Sequence, residues 1–214
     1  MEGWTLLKGM GLGLAIAAPV GPIGLLCIRR SLTQGQRMGL VTGLGAATAD
    51  GIYGCVAGFG LTAVANWLVD WAQGLQLVGG IFLCYLGFTT VRADPATEAA
   101  KLSSRGLWGA YASTLFLTLT NPATILSFIA IFAGLGLVGS SQSWGAALVL
   151  VIGVFLGSAL WWLFLSWGVT LFSQRLTPSR LKWLNRLAGA AIFAFGGVAI
   201  GLAIRPAIAL TFKG

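Results

Sequence analysis

Asp50 sits in GLGAATADGIYG (residues 43–54), in a stretch with no other charge from Gly39 to Asn66. An aspartate at the centre of a membrane-spanning helix costs ~2.5–3.5 kcal/mol on insertion scales, so a function or a buried partner is expected for it. No basic residue falls at matching depth in the other apolar runs, which argues against a simple ion pair. Proton exchange is the chemistry left open, with uptake and release as a cavity opens to either side. Tyr53, one turn on, is a candidate hydrogen-bond partner. The competing reading is an aspartate that stays protonated or bonded to backbone. Ala46, Asp50, Gly54 and Gly58 recur every four residues, a small-residue face expected to meet other helices rather than lipid.

Two further stretches carry chemistry in their backbone. In APVGP, Pro19 and Pro22 with Gly21 should break a helix and leave main-chain carbonyls without helical partners. Such groups must face protein, water or a ligand. Asn121-Pro122 in NPAT reads as a second break, with Asn121 able to donate, accept and cap the half-helix that follows. Freed carbonyls suit an ammonium, and half-helix N-termini suit a carboxylate. The competing reading is a plain proline kink satisfied by neighbours. Ser158, Trp161 and Trp162 form a third polar cluster, where either ring could line a substrate or simply pack. Gly9, Gly11 and Gly13 lack a phosphate-loop pattern and read as helix packing.

The elements that must position these groups follow from composition. The 214 residues are 57% hydrophobic and 8% charged, with a mean hydropathy of +0.89; soluble domains carry roughly a quarter charged residues. The chain reads as an all-α polytopic membrane protein, and its 32 glycines suit close helix packing. A net charge of +8 spread thinly between apolar runs is a topology signal and not a nucleic-acid surface. Cys27, Cys55 and Cys84 have no paired spacing and read as small core residues, so neither a disulfide set nor a metal site is expected. Histidine is absent, which removes haem ligation, His-based zinc sites and Ser–His catalysis. No cofactor is expected. The first apolar run lacks a basic n-region and continues into Pro19 and Pro22, so it reads as a retained helix rather than a signal peptide.

Six spans are predicted, at 5–28, 38–65, 72–91, 107–138, 144–172 and 183–204. The fourth is longer than one crossing needs, which suggests tilt or an interrupted helix. Ten of the 13 basic residues (Arg29, Arg30, Arg37; Arg92, Lys101, Arg105; Arg175, Arg180, Lys182, Arg186) fall in alternate loops. The positive-inside rule makes those loops cytoplasmic and puts both termini outside. Trp4, Trp67, Trp71, Trp108, Trp144 and Trp183 lie near span ends, as an interfacial belt requires.

The polar linker 92–106 separates a first three-helix unit (1–91) from a second (107–214) within one membrane domain. Three is odd, so the second unit must cross in the opposite sense, the arithmetic of an inverted repeat. GPIGLLCI (21–28) aligns weakly with NPATILSF (121–128), and GAATAD (45–50) with GVFLGS (153–158). At ~1.5 Å per helical residue, Pro19 lies about 15 Å from Arg29, half of a ~30 Å hydrocarbon core. Asn121, Asp50 and Ser158 fall at similar depths by the same count. Broken helices at corresponding places in two halves are the best sequence pointer to a transport site.

APVGPIGLLCIRRSLTQGQRMGL, the Gly-rich second span with Asp50, the NPAT break and GSALWW together resemble the lysine exporter family, which includes homoserine/threonine exporters. The resemblance covers nearly the whole chain. It implies a bacterial inner-membrane carrier that exports amino acids or related small metabolites, driven by a proton or ion gradient, as a homodimer. The partners implied are a small-molecule substrate, a coupling ion and membrane lipid, and no nucleic acid. One departure falls where selectivity could be set: a valine stands between Pro19 and Gly21, and no Asp or Gln-Asn follows Pro22. The substrate therefore does not carry over. A carrier of an inorganic or other small ion with the same fold, and a structural membrane subunit, are the alternatives. Intramembrane proteolysis needs a second facing acid or a base, and neither is in the sequence at that depth.

Overall fold

Every broken run in the sequence needs a stop and a restart, and the structure supplies both. The computed structural model describes residues 2–19, 21–59, 62–92, 104–121, 124–128, 143–173 and 178–211. These form α1 (Glu2–Ala17), α2 (Pro22–Gln34), α3 (Gln36–Gly58), α4 (Thr62–Asp70), α5 (Ala72–Arg92), α6 (Ser104–Leu119), α7 (Trp144–Ser173) and α8 (Pro178–Thr211). Residues 124–128 add a short helical segment after α6. Helices α3, α5, α7 and α8 are long and apolar enough to cross a membrane, and the bent α1–α2 pair brings the total to as many as five among the described residues. The six-span expectation extends further, because residues 129–138 of the fourth run lie outside the described residues. So do Pro122 and most of the linker 92–106.

Local chemistry sets the ends. The last bond of α1 is the Ala18 N–H to the Leu14 carbonyl, 2.9 Å. Gly21 then takes an extended conformation as N-cap of α2, with Pro22 in the first turn, where its missing N–H costs nothing. The two helices meet at 84°. At the other end of α2, Gly35 has φ +90°, a conformation other residues rarely adopt. Ser143 starts α7 by accepting the Ala146 N–H on its Oγ. The expected single span 38–65 is instead two helices, α3 ending at Gly58 and α4 beginning at Thr62.

Without a hydrophobic force between helices in lipid, close backbone approach must hold the bundle. Gly9 and Gly13 of α1 face the carbonyls of Leu150 and Val154, while Gly153 and Gly157 of α7 face those of Leu6 and Met10. A Cβ at any of the four would overlap backbone. Gly11 meets nothing, so two of the three spaced glycines pack. Helices α5 and α8 repeat the device: a Cβ on Gly80 would meet the Gly196 carbonyl at 3.0 Å, and one on Gly87 the Gly189 carbonyl at 2.7 Å. Helix α3 lies against α2, α6 and α7 at the centre. The six tryptophans assigned to a belt are all exposed.

The arginine-bearing segments converge at one end. Arg29 bonds Asn185 near the start of α8, and Arg30 bonds Thr42 in α3 and Thr114 in α6.

Candidate functional site

The breaks frame a cavity of about 400 Å³. From the α1–α2 break come Ile16, Ala17, Pro19, Gly21 and Pro22, from α3 Ala46 and Asp50, and from the α6 break Thr118, Asn121, Thr124 and Ser127. Gln76 and Leu83 of α5, Trp162 of α7, and Phe195 and Leu202 of α8 complete the wall. An annex of about 30 Å³ between Pro22, Gly79, Thr120 and Asn121 opens beside it. Room of this kind suits a small metabolite.

Asp50 is buried, and its Oδ2 accepts a 2.7 Å hydrogen bond from Ser158 Oγ. Trp162 Nε1 in turn donates to Ser158 Oγ at 3.1 Å. The three form a chain from α3 to α7 that holds the acid at the cavity wall. Ser158 and Trp162 are one turn apart on the α7 face that meets α3, because residues at i and i+4 share a face. Trp161 does not itself line the cavity: half-buried, it packs against the cluster of Ala17, Ile23, Cys27, Ala46, Ala47 and Trp162, with its ring 6.1 Å from that of Phe164.

Tyr53 is buried but does not bond Asp50. Its hydroxyl donates to the Leu119 carbonyl at 2.6 Å. Leu119 is the last residue of α6, where carbonyls lose their helical donors. Tyr53 therefore satisfies a group freed by the second break, and its ring packs on Phe128 at 5.4 Å.

Asn121 is the backbone cap of the segment after the break. Its carbonyl accepts the N–H groups of Thr124 at 3.1 Å and Ile125 at 3.2 Å. Gly21 does the same for α2 through the Leu25 N–H, 3.0 Å. Positive ends of two half-helices thus border the cavity, with the carbonyl end of α1 nearby. Thr118 and Thr120 turn their hydroxyls back to the carbonyls of Thr114 and Phe116, which satisfies them inside their own helix.

The structure thus gathers Pro19, Gly21, Pro22, Asp50, Asn121 and Ser158 at one place and sets Tyr53 behind them. Sequence reasoning did not single out Gln76, Thr118, Thr124 or Ser127; a polar residue inside an apolar run was the available signal for Gln76. It also treated Arg29 and Arg30 as loop charges, whereas both are buried.

A family model described as LysE type translocator matches residues 14–202. The chain belongs to that family, whose members are translocators and not enzymes. It is similar to "Uncharacterized membrane protein YahN" of Escherichia coli, 30% identical over 78% of this chain and 76% of that one. It is also similar to "Putative amino acid efflux protein YcgF" of Bacillus subtilis, 27% identical over 86% and 90% of the two chains. "Putative amino-acid transporter YggA" of Aeromonas salmonicida is 28% identical over 83% and 86%. No solved structure matches.

Proposed function

We propose that this translocator exports amino acids or related small metabolites across the bacterial inner membrane, coupled to proton influx through Asp50. The observation that carries the reading is a buried carboxylate, oriented by Ser158, at the wall of a cavity bordered by two helix breaks. Backbone at Pro19, Gly21, Pro22 and Asn121 would hold the substrate's polar groups. The names of the relatives from B. subtilis and A. salmonicida support an amino-acid substrate. Apolar walls from Ile16, Leu83, Trp162 and Phe195 favour an uncharged side chain over a cationic one.

An inverted repeat is the arrangement we infer for the two halves. Its support is that contacts come in exchangeable sets: α1 packs on α7 and α3 on α6, while α3–α7 and α5–α8 pair the corresponding helices of each half. The arginine-rich end is read as cytoplasmic, which leaves both termini outside. A homodimer is the assembly the family resemblance implies.

The test is flux of labelled leucine, threonine and lysine in proteoliposomes, with and without an imposed pH gradient. The gradient should stimulate wild-type efflux of at least one neutral amino acid and leave Asp50→Asn unstimulated, with Asp50→Glu keeping part of the effect. Full gradient-driven flux in the Asn variant would assign coupling to another group or ion. Flux of none of the three would remove the amino-acid reading.

A further inference from the structure

Two polar side chains on the wall of the cavity of about 400 Å³ make no hydrogen bond among the described residues: Gln76 of α5 and Thr124, just beyond the α6 break. Gln76 is half-buried, and Thr124 is 9% exposed. Thr118 and Thr120 show the usual resort of a buried threonine, each returning its hydroxyl to a carbonyl one turn back. For Thr124 the turn behind is the break itself, and its hydroxyl is left facing the cavity. Bare polar groups in such a place are costly unless an occupant bonds them.

One corner of the cavity gathers them. Gln76 borders both the main space and the annex of about 30 Å³, as do Pro22, Ile23 and Asn121. An annex of that size admits roughly two water-sized groups. Thr124 is tied to the same corner, because its N–H bonds the Asn121 carbonyl at 3.1 Å and three helical residues rise only about 4.5 Å. Pro22 and Ile23 open the 13-residue helix α2, whose N-cap Gly21 supplies no side-chain bond. The N–H groups of Ile23 and Gly24 lie where a helix has no internal acceptor, and both residues line the cavity. Asp50 borders the main space but not the annex, which keeps a second negative charge apart from it. An amide, a hydroxyl and the positive end of a helix together suit a carboxylate.

We propose that Gln76 and Thr124 are specificity-determining residues of this cavity, holding the carboxylate of the substrate against the first turn of α2. That the cavity is a transport site rests on the function proposed above; the preference of this corner for a carboxylate does not. A bound amino acid then turns its ammonium group toward the wall that carries Asp50.

The full-length protein in phosphatidylcholine nanodiscs is titrated with propionate at constant ionic strength, following saturation transfer to the propionate methyl group and subtracting the signal of empty discs. Saturable binding is expected. Gln76→Met keeps the bulk of the side chain and Thr124→Val its shape, and each should weaken propionate about tenfold, the worth of one hydrogen bond to a charged group. Gln76→Glu should abolish binding by setting a second carboxylate against the first. Thr124→Ser should bind as wild type does, which a packing role for the threonine would not allow. No saturable binding by wild type, or wild-type affinity in Gln76→Met, Gln76→Glu or Thr124→Val, would overturn the proposal. Should a Gln76 variant fail to elute as a single species, the Thr124 pair decides alone. Binding is read at equilibrium without a gradient, so loss of pH-driven export leaves this result standing, and failure here leaves export standing.

Discussion

Helices α3 and α7 share one hydrogen bond, Ser158 to Asp50, and otherwise solve opposite problems. In α3, 56% of the most apolar stretch is buried, against 33% in α7. Among the large hydrophobic residues of α3 only Ile52 is exposed, whereas α7 presents Leu148, Ile152, Leu156, Leu160 and Leu163 outward at helical spacing. The face of α3 is glycine and alanine, and three other helices cover it. The acid is therefore carried by the most buried of the four described spanning helices, and its hydrogen-bond donor by a far more exposed one. A charge in such a protein is positioned by what surrounds its helix, and the apolarity of its own helix matters less.

Substitutions can break that contrast. The largest effect is expected at Gly43 on α3, where an added Cβ overlaps the Trp162 side chain. Gly43→Val should force α3 from α7 at a cost of about 1–3 kcal/mol, seen as a fall in thermal midpoint and in the monodisperse fraction of detergent-purified protein. An unchanged midpoint would mean the contact yields easily. Next is Ser158→Ala, which leaves the acid without its donor. Gradient-driven flux in proteoliposomes should fall about tenfold, and Ser158→Thr should restore most of it. If the Ala variant transports normally, the serine only fills space. Trp162→Phe removes the second bond of the same chain and should lower flux several-fold less than that, while Trp161→Phe changes nothing. A reversed order would mean that the ring at 161 reaches the substrate. The smallest effect belongs to Ile152→Ala on the lipid face, expected within about 0.5 kcal/mol of wild type in the same thermal assay.

Much of this was legible because apolar length and proline are strong local signals. Helix α5 matches its expected bounds within a residue, since one uninterrupted apolar run of that length has a single solution in a bilayer. Both breaks fall where Pro22 and Asn121 put them, as backbone chemistry is encoded on the spot. The division of 38–65 into α3 and α4 was not legible: hydropathy reports what a segment is made of and not the direction it runs. Tyr53 shows another limit. Three residues from Asp50 on one helix, it shares a face with the acid, yet its long side chain carries the hydroxyl to a carbonyl that exists only because α6 stops at Leu119. Arg29 and Arg30 were read by sign, and sign says which end they occupy without saying that three helices close over them.

The glycine contacts between α5 and α8, and between α1 and α7, also set a timetable. Each joins a helix made early to one made late, with at least two other helical segments in between. While the ribosome is still on α6, the backbone-to-backbone faces of α1 and α5 have no counterpart in the bilayer. Helix α1 must wait among lipids, or under the hand of an insertion factor, until α7 emerges, and α5 until α8 does. A chain halted after Ser173 would already hold Asp50, Ser158 and both breaks, yet α5 would have nothing to close against.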